Sequence, residues 1–334
     1  MKNFRFVSIL LVISFVLTAC ASQAEPTAEP PTPVTLQLQW VTQAQFAGYY
    51  VALDKGWFAE EGIDLTIIPG GPDQAPIDLV ISGTRDFGTA LLADLAVAIQ
   101  TGKPAIGIAQ IQQSNGLLLL AKKSSGVESP SDLKGKKVGV WLGNWEAQFD
   151  ALMTQQGITA KDFSLVSQGY SMKPFVNDEL DVASAMIYNE YYSVLESGIQ
   201  PEELNIIDYA DYGLDFPGDV LFTSRTNVEQ NPDLSTGMVR AALRGWQYAI
   251  EHPEEAADIV LKYDQTGVQT RDHQLSMMKE IAKLVQIEGR QIGRSDESDL
   301  QRTIDTLLQF DILKGAVLPA DVMTNEFWDK AQSK

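Results

Sequence analysis

The stretch QFAGYYVALDKGWFAEEGIDLTI, Gln45 to Ile67, constrains the fold more than any other part of the chain. Tyr49, Tyr50, Leu53 and Trp57 recur at helical spacing, Gly62 stands where a helix would end, and Ile63, Leu65 and Ile67 alternate as in a half-buried strand. With the preceding TLQLQW, Thr35 to Trp40, this predicts a strand-helix-strand unit, with one helix over 49–60. A helix lying on a sheet needs an apolar stripe, so Tyr49 and Trp57 are expected in the core.

Strands and helices go on alternating, which predicts an α/β protein. Strands are expected at 63–68, 86–88, 105–112 and 116–122, then at 137–141, 163–167 and 182–187, with helices at 72–82, 93–101, 145–156 and 190–197. A series of helices is expected from Pro232 onward. The apolar strand 116–122 leaves a first lobe, and the chain recrosses near Asp219 to Thr223. Two crossings imply a hinge and a cleft.

The block from Gln45 to Ile67, together with GLLLLAKKSSGVESPSDLKGKKVGVW, DVASAMIYNEYY and RAALRGWQYAIEHPEEAADIV, resembles the solute-binding proteins related to thiamine-pyrimidine synthase. That family includes receptors for formylaminopyrimidine, riboflavin and, more distantly, sulfonates. The resemblance runs from about Val34 to the C-terminus. It implies a type II periplasmic binding protein of two lobes joined by a two-stranded hinge: lobe 1 at 34–120, lobe 2 at 121–222, and a return to lobe 1 with C-terminal helices at 223–334. It also implies an ABC permease and ATPase as partners and a monomeric receptor.

The N-terminus gives an address. Lys2 and Arg5 precede an uncharged run from Phe6 to Leu17, too short to span a bilayer comfortably, and Leu17-Thr18-Ala19-Cys20 follows. This pattern is read as a lipoprotein signal over 1–19, with Cys20 acylated and the chain held by its lipid on the outer face of the cell membrane. An ordinary secretory signal with an incidental cysteine is the alternative. Cys20 is the only cysteine, so the folded part can form no internal disulfide. Ala21 to Pro33, rich in proline and small residues, reads as a tether reaching ~40 Å at about 3.1 Å per residue. A net charge of −19 argues against nucleic-acid partners.

In open α/β sheets ligands sit beyond the carboxyl ends of the strands. That rule selects Trp40, Gln43, Gln45 and Phe46, then Thr89 and Leu92, then Gln112 from the first lobe. From the second it selects Trp141, Asn144, Trp145, Tyr188, Glu190, Tyr212, Asp215 and Asp219. Aromatic rings and amides dominate, with a few carboxylates, and such walls suit a flat heteroaromatic ligand. An anion receptor would want Arg or Lys in these loops, whereas Arg85 and Lys173 lie outside them. Each residue also has a structural alternative: Glu190 as a helix cap, the glutamines as solvated loop residues, 212–222 as a turn closing a strand pair.

Within the family resemblance, an acidic residue in a segment like Asn189-Glu190-Tyr191 contacts ligand, which favours Glu190. Gln45-Phe46 stands where relatives carry an Asn-His pair, a departure that leaves room for a ring larger than a pyrimidine precursor. Riboflavin is therefore the first expected ligand, a thiamine pyrimidine precursor (formylaminopyrimidine or hydroxymethylpyrimidine) the second, and a membrane-anchored sensor without transport a third reading of the chain. No cofactor, metal site or enzymatic activity is expected. The family's synthase needs a cysteine cluster that a single cysteine cannot supply, and neither His252 nor His273 falls in a cleft loop.

Overall fold

A computed structural model describes residues 30–71, 73–142 and 146–333. The predicted signal, Cys20 and most of the tether, with Asn144 and Trp145, lie outside the described residues.

Among the described residues ten strands form two sheets. In chain order they are β1 (Thr32–Gln37), β2 (Ile63–Ile68), β3 (Phe87–Leu91), β4 (Ala105–Gln110), β5 (Leu117–Lys122), β6 (Lys137–Val140), β7 (Ser164–Ser167), β8 (Val182–Met186), β9 (Leu204–Asp208) and β10 (Asp219–Ser224). The first sheet has the order β2-β1-β3-β10-β4 and the second β7-β6-β8-β5-β9. The two repeat one plan: three parallel-paired strands, then a fourth that runs antiparallel to both its neighbours. That fourth strand is β10 in one sheet and β5 in the other, each arriving from the opposite lobe.

The lobe boundaries therefore shift from the sequence expectation. Strand β5 already belongs to the second sheet at Leu117, and β10 belongs to the first from Asp219, ahead of the expected 222/223 division. Between them the two crossing segments run side by side. Gly218 N donates to Gln112 O at 2.9 Å and Asn115 N to Phe216 O at 3.0 Å, while Ile111 N and Gln112 N both donate to Asp219 O. These bonds make the two-stranded hinge.

Local chemistry explains where elements break. The single helix expected over 49–60 is two, Ala47–Asp54 and Trp57–Glu60, because Gly56 takes φ 75°, a left-handed conformation that stops the first helix and opens the second. In β2, Ile63 and Leu65 are buried while Asp64 and Thr66 are exposed, the alternation of an edge strand with one solvated face. The fully buried β3, β4 and β8 show no such alternation. Strand β9 falls outside the sequence expectation, since LNIID alternates too briefly to stand out.

The C-terminal helices return to the first lobe. Helix Pro232–Glu251 crosses helix Ala47–Asp54 so closely that a Cβ on Gly245 would collide with the carbonyl of Gly48. Helix Arg271–Val285 lies at the lobe boundary, in contact with helix Glu190–Glu196 of the second lobe. Among the described residues no helix is long and apolar enough to cross a membrane.

Candidate functional site

The carboxyl end of β1 leads into a loop whose polar residues are buried rather than solvated: Gln39 is 2% exposed, as are Gln43 and Gln45. Burial of an amide is costly unless its hydrogen bonds are made. Here they converge on one acid. The Asp219 carboxylate, at the start of β10, accepts from Gln39 Nε2 at 2.8 Å on one oxygen and from Gln45 Nε2 at 2.7 Å on the other. Gln45 Oε1 in turn accepts from Gln43 Nε2 at 2.8 Å, and Thr89 Oγ1 fixes the Gln39 backbone N–H at 2.9 Å. Burial pushes the Asp219 carboxyl up to about 7, against the pull of the two glutamine amides.

The second lobe presents a matching acid. Glu190 opens helix Glu190–Glu196, and its carboxylate accepts from Met186 N at 2.9 Å and from Asn189 Nδ2 at 2.7 Å. Only 2% exposed, it too is raised to about 7, by burial first, with those N–H donors opposing. Tyr188 lies within the field of both acids. Burial raises its phenol well above the ordinary range, followed by Asp219 and then Glu190.

Most donors of this cluster are spent. Gln110 Nε2 is committed to the carbonyls of Gln112, Gly218 and Asp219, and Gln113 Nε2 to Gln110 O at 2.9 Å. These commitments fix the amide orientations, leaving Gln39 Oε1 and Gln110 Oε1 as buried acceptors, and Gln112 Nε2 as a buried donor, without a hydrogen-bond partner among the described residues. The site is thus rich in acceptors. Aromatic walls come from both lobes: Trp40 and Trp141 meet edge to face, and Trp141 Nε1 donates to Gly169 O at 3.1 Å. At the mouth, a cavity of about 180 Å³ is lined by Trp40, Gln43 and Val268 of the first lobe and by Tyr170, Asn189 and Glu196 of the second.

The structure brings together Trp40, Gln43, Gln45, Gln112, Trp141, Tyr188, Glu190 and Asp219, with Thr89 as a support. It sets others apart. Phe46 and Leu92 are core residues, 1% and 0% exposed. Tyr212 sits in a 3-10 turn where its carbonyl accepts from Gln155, and exposed Asp215 accepts from Ser114 Oγ at 2.6 Å on the hinge. Lobe assignment also changes for Asp219, which acts from the first sheet.

Two residues escaped the sequence reading. Gln39 carried a signal, because Gln37 and Gln39 interrupt Leu36, Leu38 and Trp40 in a segment whose two sheet neighbours bury it. His273, expected away from the cleft, instead reaches its mouth, because helix Arg271–Val285 starts at the lobe boundary. No group of three or more His, Cys, Asp and Glu side chains that could hold a metal ion occurs among the described residues.

This architecture is the two-lobed α/β fold of periplasmic binding proteins: the periplasmic aliphatic sulphonate binding protein SsuA from Escherichia coli superposes with a TM-score of 0.64, over 87% of this chain and 90% of that one, at 15% identity. Residues 43–256 match the profile described as NMT1/THI5 like, and the chain belongs to that family. A formylaminopyrimidine-binding protein of Halalkalibacterium halodurans is 28% identical over 267 residues, 78% of this chain and 79% of that protein. The riboflavin-binding protein RibY of Chloroflexus aurantiacus is also 28% identical, over 283 residues and 79% of each chain.

Proposed function

We propose that the chain is the lipid-anchored, extracytoplasmic solute-binding component of an ABC importer, and that its ligand is a small, donor-bearing heteroaromatic ring of the aminopyrimidine type. Two relatives that cover most of the chain are named as binding proteins, one of them for formylaminopyrimidine. In this reading ligand bound to one lobe recruits the other, and the closed form is what the permease recognises.

The observation that carries the choice of ligand is the acceptor excess. Two buried carboxylates and two unpartnered amide oxygens stand against one unpartnered amide N–H, on Gln112 Nε2, and an exocyclic amine beside a ring nitrogen meets both kinds of group. The uracil-like edge of a flavin offers two carbonyls around one N–H and would need two donors where Gln39, Gln45, Gln110 and Gln113 have spent theirs and Gln112 Nε2 supplies one. Riboflavin thus moves from first expectation to second, kept by the likeness to RibY and by ribityl hydroxyls that could also donate.

The test is a pair of titrations of the chain carrying Cys20→Ser. Formylaminopyrimidine should change the tryptophan emission saturably, and riboflavin should keep its flavin emission. Flavin quenching that formylaminopyrimidine does not relieve would overturn the aminopyrimidine assignment and restore riboflavin.

A further inference from the structure

The mouth of the cleft is crossed by His273, on the first turn of helix Arg271–Val285 and only 7% exposed. Both its ring nitrogens face oxygens of the second lobe: Nδ1 lies 2.9 Å from Glu196 Oε1 and Nε2 lies 2.9 Å from Asn189 Oδ1. The Asn189 amide is oriented by its nitrogen, which donates to Glu190 Oε1 at 2.7 Å. Its oxygen therefore meets the imidazole and can only accept. An ionised Glu196 can only accept as well. A neutral imidazole carries one N–H and would turn a lone pair toward one of these oxygens, whereas the doubly protonated ring satisfies both.

We propose that His273 is a positioning residue of the cleft: its ring clasps the first lobe to helix Glu190–Glu196 and, through Asn189, holds the Glu190 carboxylate in place. The ionisable groups around the ring are Glu196 and Glu190 from the facing helix, Tyr170 across the mouth, and Arg271 and Asp272 beside it on its own helix. Arg271 is already paired with Asp258 at 2.6 Å, so it does not replace the histidine opposite Glu196. The Glu196 side chain is 51% exposed, so water can replace the ring as its partner when the lobes part. A second tie across the same boundary, Tyr192 OH to Glu280 Oε1 at 2.9 Å, does not involve the ring. The closure half of the proposal stands on this geometry alone; the half that concerns Glu190 rests on the ligand reading above.

The experiment follows lobe closure without ligand, by energy transfer between dyes on Asp64→Cys and Glu202→Cys, both exposed and in different lobes, in the full chain with Cys20→Ser. The parent should show a short inter-lobe distance and His273→Ala a longer one. Glu196→Ala removes one of the two facing oxygens and leaves the ring in place, so it should lengthen the distance as well, and adding it to His273→Ala should lengthen it no further. A distance unchanged in His273→Ala, or a further lengthening in the double variant, overturns the clasp. With formylaminopyrimidine as probe, His273→Ala should release it at least tenfold faster than the parent. Release at the parent's rate removes the Glu190 half of the proposal, whereas a distance that lengthens in His273→Ala while the parent takes up no probe upholds the clasp and refutes the ligand reading instead.

Discussion

Trp40 and Trp141 stand edge to face across the lobe boundary, ring centroids 6.1 Å apart and planes inclined by 67°. Each is almost fully buried, although each comes from a loop at a strand end. The pair is therefore a property of the closed form and belongs to neither lobe alone. A T-shaped aromatic pair contributes about 0.5–1.5 kcal/mol beyond the area it buries. Trp40→Ala and Trp141→Ala should each weaken ligand binding, and their double-mutant cycle should show coupling of about 1 kcal/mol. Titrations of the four proteins check this, and strictly additive losses would detach the pair from closure.

Asp219 predicts a pH dependence of stability. Its folded-state carboxyl lies near 7, above the unfolded value, so between about pH 4 and 7 the native protein holds a proton that the unfolded chain has given up. The stabilising contribution is fully present below the unfolded value and is lost as pH rises through 7. At about 1.4 kcal/mol per pH unit the whole window is worth ~4 kcal/mol. Asp219→Asn should flatten this part of the urea-unfolding profile while weakening ligand binding. A parent whose stability is constant from pH 4 to 7 would show that the acid is solvated in solution.

Glu190→Gln should separate binding from folding. A hydrogen bond to a charged group is worth roughly 1.5–3 kcal/mol, so affinity for a donor-bearing ring should fall by about 10- to 150-fold. The melting temperature should stay level or rise, because the substitution removes a charge whose burial is costly. In the parent, affinity should decline below pH 7 as Glu190 takes up a proton. Calorimetry at pH 5.5 and 8 reads both effects, and an affinity equal at the two values and in the variant would place Glu190 outside the ligand's reach.

Gly245 tests the helical packing of the first lobe. Because the Gly48 carbonyl occupies the position a methyl group would need, Gly245→Ala must push helix Pro232–Glu251 away from helix Ala47–Asp54. Overpacking of this kind costs about 1–3 kcal/mol, more than the gain in helix propensity that alanine brings. Urea unfolding checks this, and a variant as stable as the parent would mean that the helices slide apart freely.

Much of the fold was legible because its signals are local. The alternation in Ile63–Ile68 was found to the residue. Strand membership was harder: nothing in DVLFTS tells which sheet it completes, since that depends on partners far away in the chain. Asp219 was consequently selected with the wrong lobe. His273 was passed over for a related reason. Its helical periodicity was plain, but periodicity does not say that the first turn of that helix stops against Asn189 and Glu196. Asp215 and Ser114 show the converse, a residue pair of binding-site composition that serves the hinge.

The place of β10 in the first sheet has a genetic corollary. The second sheet is encoded without interruption by β5 to β9, whereas the first is encoded in two pieces, β1 to β4 and then β10. The coding sequence thus reads as one lobe inserted into the other. The inserted lobe can be lifted out as a contiguous cassette, but the host lobe lacks the strand between β3 and β4 until the whole insertion has been translated.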